Sequence, residues 1–490
     1  MKTRILIILL SVFIGANSCF AQEKAEESIL KTFHSISSNE ILDFAKELSS
    51  EKYKGRLSGS PEYQQAAQWC ADKFREWGVK PANSGSYFQY FPNEYSDVLS
   101  LGEVRYSNGG ESTELKFLDD YLPGSNSSDG TVEAGLVYVG YGITAPELGY
   151  DDYKNVDVKG KIVILEPGTP YTQNDTTLGK WTPYAYHRYK FRNAVKHGAA
   201  GMIYNSKIAN PNTVNLEGFI YAHLDSKVTE KIFADAGKDY TEISKQLRNF
   251  EAPSFALAAD QKVMITAETK YHPDAKGCNV VGWIEGSDPE LKNEVIIIGG
   301  HLDGQGQMGD VYFPGALDNA SGVCDILEAA KALATSEIRP KRSVLFILIG
   351  GEECGLYGSK YYAENPLFPV NKTRLMINLD MVGNGTGFFF SGGKTHTALF
   401  KHFEEANTNY IHREIGASEV RKNYGRPRSD ESNFENVGIK TFGLWTRNSV
   451  FPVYYHDPRD KTDVLTPEIM EDAAKLLYLG VLGIANDKDL

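Results

Sequence analysis

Three mostly apolar runs in the second half of the chain, the third broken only by Asn378, each lead into a charged or imidazole side chain. Val295 to Gly300 ends at His301, Val344 to Ile349 runs into Glu352 and Glu353, and Leu375 to Met381 carries Asp380 at its end. Runs without polar alternation are the pattern of strands buried on both faces, as happens when helices cover a parallel sheet. After the first run, Val323, Ile326, Leu327, Ala330 and Leu333 recur at the spacing of an amphipathic helix. Successive βα units are therefore expected, and open α/β sheets build their sites at the C-terminal ends of their strands. With 490 residues and 41% hydrophobic content, the chain can form more than one cored unit and has no collagenous or disordered bias.

The polar residues at these ends form a coherent set. His301, Asp318, Glu353, Asp380 and His456 offer two imidazoles and three carboxylates, a ligand set that suits a pair of borderline divalent cations such as Zn²⁺. Two such ions bring four positive charges against three negative, which leaves surplus charge for a developing oxyanion and favours hydrolysis. Asp303, two residues after His301, is placed to accept the other imidazole N–H. Of the adjacent glutamates, one can ligate while Glu352 takes a proton from a metal-activated water. Each signal alone has a plainer reading. Asp318 or Asn319 could cap the following helix, two neighbouring glutamates could be a solvated turn, Asp380 a turn residue and His456 a surface histidine. Coincidence at several successive strand ends is the poorer explanation.

The segments around these residues resemble the co-catalytic di-zinc peptidases, a family that includes secreted bacterial aminopeptidases, glutamate carboxypeptidases and the transferrin receptor. The resemblance is carried by His301-Leu-Asp303, Gly315-Ala-Leu-Asp-Asn-Ala-Ser-Gly322, Gly351-Glu-Glu-Cys-Gly-Leu-Tyr-Gly-Ser359, Asn378-Leu-Asp-Met-Val-Gly383 and Tyr455-His456. It implies two Zn²⁺ per chain, with Asp318 shared between them, His301 and Asp380 on one, and Glu353 and His456 on the other. It further implies Glu352 as general base and Tyr455 as a donor to the oxyanion. One departure stands out: many members have Ser-Asp-His where this chain has Ser429-Asp430-Glu431.

The first half is organised differently. Ser37 and Glu40 form a possible capping box before one helix, and Ser60-Pro61 starts a second that Gly78 stops. From about Phe117 the sequence becomes glycine-rich and β-patterned, with strands expected at Leu136–Val139, Lys161–Leu165 and Gly201–Tyr204. Tyr150–Leu165 and Ala194–Ile203 resemble a protease-associated domain, a module that this family carries inserted in the catalytic domain. His187, His197 and His223 lie there without ligand spacing and read as packing or polar residues. The expected fold is α/β, a mixed β-sheet sandwiched by helices (the zinc-dependent exopeptidase fold), with an inserted β-rich protease-associated domain. The expected boundaries are 1–21 for a signal peptide, 22–117 and 261–490 for a discontinuous catalytic domain, and 118–260 for the insert.

Lys2 and Arg4, the apolar stretch Ile5 to Ile14 and Cys19-Phe-Ala21 fit an export signal cleaved after Ala21, with lipidation at Cys19 as the alternative. The apolar core is too short to span a bilayer, so a periplasmic or extracellular location without a stable membrane span is expected. Four cysteines follow the cleavage site, and Cys70 and Cys324 on apolar helix faces read as buried thiols. A net charge of −13 with no Lys/Arg block argues against nucleic acid as a partner. The oligomeric state is not readable.

The expected activity is removal of N-terminal residues from a peptide substrate. Glu352, Asp380 and Asp430 could surround an ammonium, whereas Arg426, Arg428 and Arg447 could grip a terminal carboxylate and make the chain a carboxypeptidase. The same fold also admits a glutaminyl cyclase or a non-catalytic binding protein.

Overall fold

The computed structural model describes residues 23–170, 178–421, 428–448 and 453–490. The export signal, Cys19 and Arg426 lie outside the described residues.

The three apolar runs become neighbouring parallel strands. Ser343–Ile349, Val295–His301, Thr373–Leu379 and Thr441–Arg447 lie side by side in that order. Antiparallel strands extend them, Lys276–Ile284 on one side and Gly387–Ser391 on the other, to give nine strands in this sheet among the described residues. Alternate residues of one strand serve opposite faces. Ile296 and Ile298 join the helices Ser38–Leu48, Pro61–Glu76, Ser321–Thr335 and Pro467–Asn486, while Val295 and Ile297 pack with Tyr362 and Phe434 behind the sheet. The parallel strands are thus buried on both sides, the reason they read as apolar runs without polar alternation. His301 ends its strand, Asp380 directly follows Leu379, and Glu352 lies three residues beyond Ile349.

Some local expectations change in the structure. Ser37 precedes the first helix as its N-cap but makes no side-chain cap, because Glu40 turns away to pair with Lys331. Ser60 does cap its helix, accepting the Tyr63 N–H at 3.1 Å. All four described cysteines are buried and free.

A second sheet has Gly130–Tyr138, Ile162–Leu165, Gly201–Tyr204 and Ile220–Leu224 as its parallel centre. It extends further along the chain than 118–260, because Glu103–Asn108 and Lys262–Ala267 are also among its strands. Just outside these, Tyr95–Val98 pairs antiparallel with Thr269–His272, so the chain leaves and re-enters the first domain through adjacent strands. At this neck Val98, Leu122, Ala209, Met308 and Phe313 form a buried apolar cluster drawn from both parts of the molecule.

Candidate metal centre

All five expected ligand residues come together, His301, Glu353 and Asp380 at or just beyond strand ends, Asp318 from a helix start and His456 from a loop. His301 Nε2 lies 3.1 Å from Asp318 Oδ1 and 3.6 Å from Asp380 Oδ1. His456 Nε2 lies 3.4 Å from Asp318 Oδ2 and 3.2 Å from Glu353 Oε2. Asp318 therefore sits between two half-sites, one oxygen toward each. In each triad the potential ligand atoms lie within 4.8 Å of one another. Glu352 stands beside them, within reach of both His301 and Glu353.

The clustered charges press strongly on one another. Burial opposes charge on His456, yet Glu353 and Asp318 outweigh it and raise the imidazole to about 10. Burial, together with the crowding carboxylates Glu353, Asp430 and Asp380, pushes Glu352 well above the carboxylate range despite His301 nearby. His456 Nε2 is buried and makes no hydrogen bond of good geometry, although two carboxylates face it. An imidazole nitrogen facing convergent carboxylates is the donor set of a zinc site once the ion displaces its proton, so the residues present fit the metal.

The supports of these ligands correct one sequence expectation. The Asp303 carboxylate does not hold the His301 imidazole: its nearer oxygen is 3.9 Å from Nδ1, whereas the Asp303 main-chain carbonyl is 3.1 Å away. The carboxylate instead accepts the backbone N–H groups of Glu352 at 3.1 Å and Glu353 at 3.2 Å. The sharp turn after Ile349 turns those amides inward, with Gly351 at φ +74°, a left-handed conformation that favours glycine. Three non-glycine residues beside the site share left-handed backbone: Leu356, Met381 and His456. Clustered strain of this kind is characteristic of functional sites.

Two supports were not foreseen. Asp460 accepts the N–H groups of Leu317 at 2.8 Å and Asp318 at 3.0 Å, which fixes the backbone bearing the shared carboxylate. Arg56, fully buried, donates to the carbonyls of Leu302, Leu48, Pro314 and Gly315, tying the loops of His301 and Asp318 together. Arg56 lies in Lys54-Gly-Arg-Leu-Ser-Gly59, a segment that resembles the entry segment of the di-zinc peptidases but shows no role for the arginine in sequence. Ser429 donates to Asp380 Oδ2 at 3.1 Å, and Glu431 accepts from Asn378, whose amide also reaches Ser429. The unusual Glu431 thus closes a hydrogen-bonded chain behind Asp380.

The expected pocket residues separate. Asp430 is fully buried and meets no donor at good hydrogen-bond geometry; burial pushes it up to about 8, against the easing influence of His301 and the Ser359 hydroxyl. Arg428 lines a cavity of about 890 Å³ that opens beside Glu352, Glu353 and His456. Arg447 does not line it: it pairs with Glu414 at 2.9 Å and lies over the Phe389 ring. The Tyr455 ring stacks on His456 with centroids 3.8 Å apart and also lines the cavity. Although the ring is half-exposed, desolvation of its hydroxyl and the site's carboxylates push the phenol well above its usual range, so it stays protonated and able to donate at neutral pH. Cys354 is buried with its thiol pushed up by desolvation, which leaves it no nucleophilic character.

The second-sheet domain forms the cavity's other wall through residues including Arg188, Tyr204 and Asn210. Its histidines are not among the metal-ligand groups found in the described residues: His187 bonds the Tyr204 hydroxyl, His197 stacks on Tyr153 and His223 is buried against the Ser206 carbonyl.

Comparison with known proteins accounts for both parts. Residues 279–480 match the model of peptidase family M28, and residues 132–230 match the PA domain. The probable leucine aminopeptidase 2 of Aspergillus oryzae is 33% identical over 415 residues, covering 80% of this chain and 72% of that protein. Leupeptin-inactivating enzyme 1 of Streptomyces exfoliatus is 32% identical over 184 residues, 37% of this chain and 38% of the enzyme's length. A solved structure of a peptidase M28 precursor from Shewanella amazonensis shares the fold, with a TM-score of 0.64 and 19% identity over 95% of this chain and 97% of that one. The chain belongs to peptidase family M28 and is a zinc-dependent metallo-exopeptidase carrying an inserted PA domain.

Proposed function

We propose that the chain is an exported aminopeptidase in which Glu352 moves the proton and His301, Asp318, Glu353, Asp380 and His456 hold two Zn²⁺. The observation that supports this most is the convergence of those five side chains on the two sides of Asp318. Zinc bound there supplies Lewis acidity, which polarises a peptide carbonyl and lowers the pKa of water. Glu352 accepts the proton released when water attacks and returns it to the leaving amine. Asp303 orients this base through the Glu352 N–H. Tyr455 offers its hydroxyl to the oxygen that becomes negative. The wall contributed by the inserted domain screens the centre from bulk water.

Polarity follows from the charges left available. Asp430, buried without a hydrogen-bond donor, lies among the carboxylates that crowd Glu352, and an ammonium would relieve their repulsion. The arginine cluster a carboxypeptidase needs is weakened, because Arg447 is committed to Glu414. The inserted module is read as running from Leu99 to Glu268, between the paired neck strands. Export follows from the N-terminal sequence, and mass spectrometry of the mature chain should find Gln22 first rather than a lipidated Cys19.

The function is tested on matched peptides with free, N-acetylated and C-amidated ends. N-acetylation should remove most activity while C-amidation leaves it largely intact. The reverse pattern would make the enzyme a carboxypeptidase.

A further inference from the structure

The two ligand imidazoles are oriented by different domains. His301 Nδ1 faces a carbonyl of its own loop, Asp303, whereas His456 Nδ1 lies 2.9 Å from the carbonyl of Ala209, which belongs to the inserted domain. A carbonyl only accepts, so this contact requires the proton on Nδ1 and makes Nε2, aimed at Asp318 and Glu353, the nitrogen that can offer a lone pair to a metal. Ala209 is itself fixed: it is fully buried in the neck cluster with Val98, Met308 and Phe313.

A second contact reaches the same half-site. Arg188, on the inserted-domain helix His187–Lys196, donates to the Cys354 carbonyl at 2.9 Å and to the Tyr357 hydroxyl, with its guanidinium 5.1 Å from that ring's centre. It therefore braces the turn that carries Glu353. Asn212 packs on the same turn, where any side chain at Gly355 would lie 2.9 Å from Asn212 Oδ1. The two ligands that this half-site does not share, His456 directly and Glu353 through its turn, thus have contacts from across the domain boundary, Glu353 in addition to the Asp303 carboxylate on its N–H, while contacts of His301 and Asp380 come from the catalytic domain itself.

We propose that docking of the inserted domain sets the zinc affinity of the Asp318/Glu353/His456 half-site selectively, with the Ala209 carbonyl and Arg188 as its positioning contacts. The inference rests on the metal-binding part of the functional reading. Groups that orient a metal-bound histidine through its second nitrogen typically change metal affinity ~10–100-fold. A domain that shifts on its neck would accordingly empty one half-site before the other.

The test is a two-step zinc titration against a competing chelator, applied to the full chain and to Ala209→Leu, Arg188→Ala and Arg188→Lys, with far-UV circular dichroism to confirm folding. Ala209→Leu overfills the neck cluster and displaces the carbonyl, so one of the two zinc-binding steps should weaken by ~10–100-fold while the other moves less than about threefold. Arg188→Ala should weaken the same step by ~10-fold, with Arg188→Lys recovering part of the loss. Should Ala209→Leu fail to fold, the Arg188 pair decides the matter alone. Two unchanged steps, or equal weakening of both, would overturn the proposal. The titration does not depend on which peptides are cleaved: a parent chain that binds two zinc ions but cleaves no free N-terminus refutes the aminopeptidase reading and leaves this inference standing.

Discussion

His301 and His456 face opposite oxygens of the same carboxylate, yet the chain reaches those two positions by different means. His301 is the last residue of a buried parallel strand, and its position is set by a ladder of backbone hydrogen bonds to neighbours on both sides. His456 sits in a loop with left-handed backbone, φ +53°, stacked under Tyr455 and tethered to another domain. Rigid secondary structure supplies one ligand and tertiary docking the other. A site built this way joins a pre-formed half to a half that depends on assembly.

The severest way to break this comparison is to remove what the halves share. Asp318→Ala takes an anionic ligand from both at once, so turnover should fall by ~10³-fold or more and zinc content should drop at both sites. Retention of one tightly held zinc with substantial activity would show that the halves are independent. Glu352→Gln asks a different question, since it keeps size and removes only the proton acceptor. Turnover should fall by ~10²-fold with zinc stoichiometry unchanged; measured metal loss would mean that Glu352 is a ligand.

Asp303→Asn probes the catalytic domain's own hold on the glutamate turn, the turn that Arg188 braces from the other side. The amide can accept only one of the two N–H groups now held by the carboxylate, so kcat should fall by ~10-fold and stability by about 1–3 kcal/mol, read from steady-state kinetics and denaturant unfolding. An unchanged kcat would place the turn's order elsewhere. The smallest effect concerns the docked side. Burial depresses His223 in the inserted domain from the usual 6.5 to about 4. A folded value below the unfolded one means that the unfolded chain binds the proton more tightly, so stability is complete above pH 6.5 and is lost as pH falls toward 4. From about pH 7.5 to about pH 5 that loss should be about 2 kcal/mol. Replacing His223 with Gln should flatten this dependence in denaturant unfolding, and an unaltered slope would assign the acid sensitivity to other groups.

Legibility in the sequence follows regular structure and cuts across the two half-sites. His301, Glu353 and Asp380 could be found because buried parallel strands leave mostly apolar runs that end where ligands begin, and alternate residues such as Ile296 and Ile297 serve two cores. Asp318 and His456 are weaker signals taken singly, since a helix-start aspartate and a loop histidine carry no periodic pattern, and the set of five together singles them out. What could not be read is what depends on folding at long range. Nothing near Asp303 distinguishes its carbonyl from its carboxylate as the imidazole's partner, and Arg447 reads as available because Glu414, 33 residues away, reaches it only across Gly387, with which both pair. Arg56 grips carbonyls more than 240 residues away, and a carbonyl leaves no mark in sequence.

The neck has a consequence for how this enzyme can be rebuilt. Because Tyr95–Val98 and Thr269–His272 run antiparallel and in register, with Val98 opposite Thr269, the two points where the chain crosses are about 5 Å apart. That is the span of a tight hairpin, so the region beyond them is attached like a bead on a clasp. It can be exchanged for a two-residue turn or for another module without lengthening or cutting any strand of the larger sheet. The geometry makes the insert a replaceable cassette whose removal would expose the centre on one side and leave the strand-borne histidine in place.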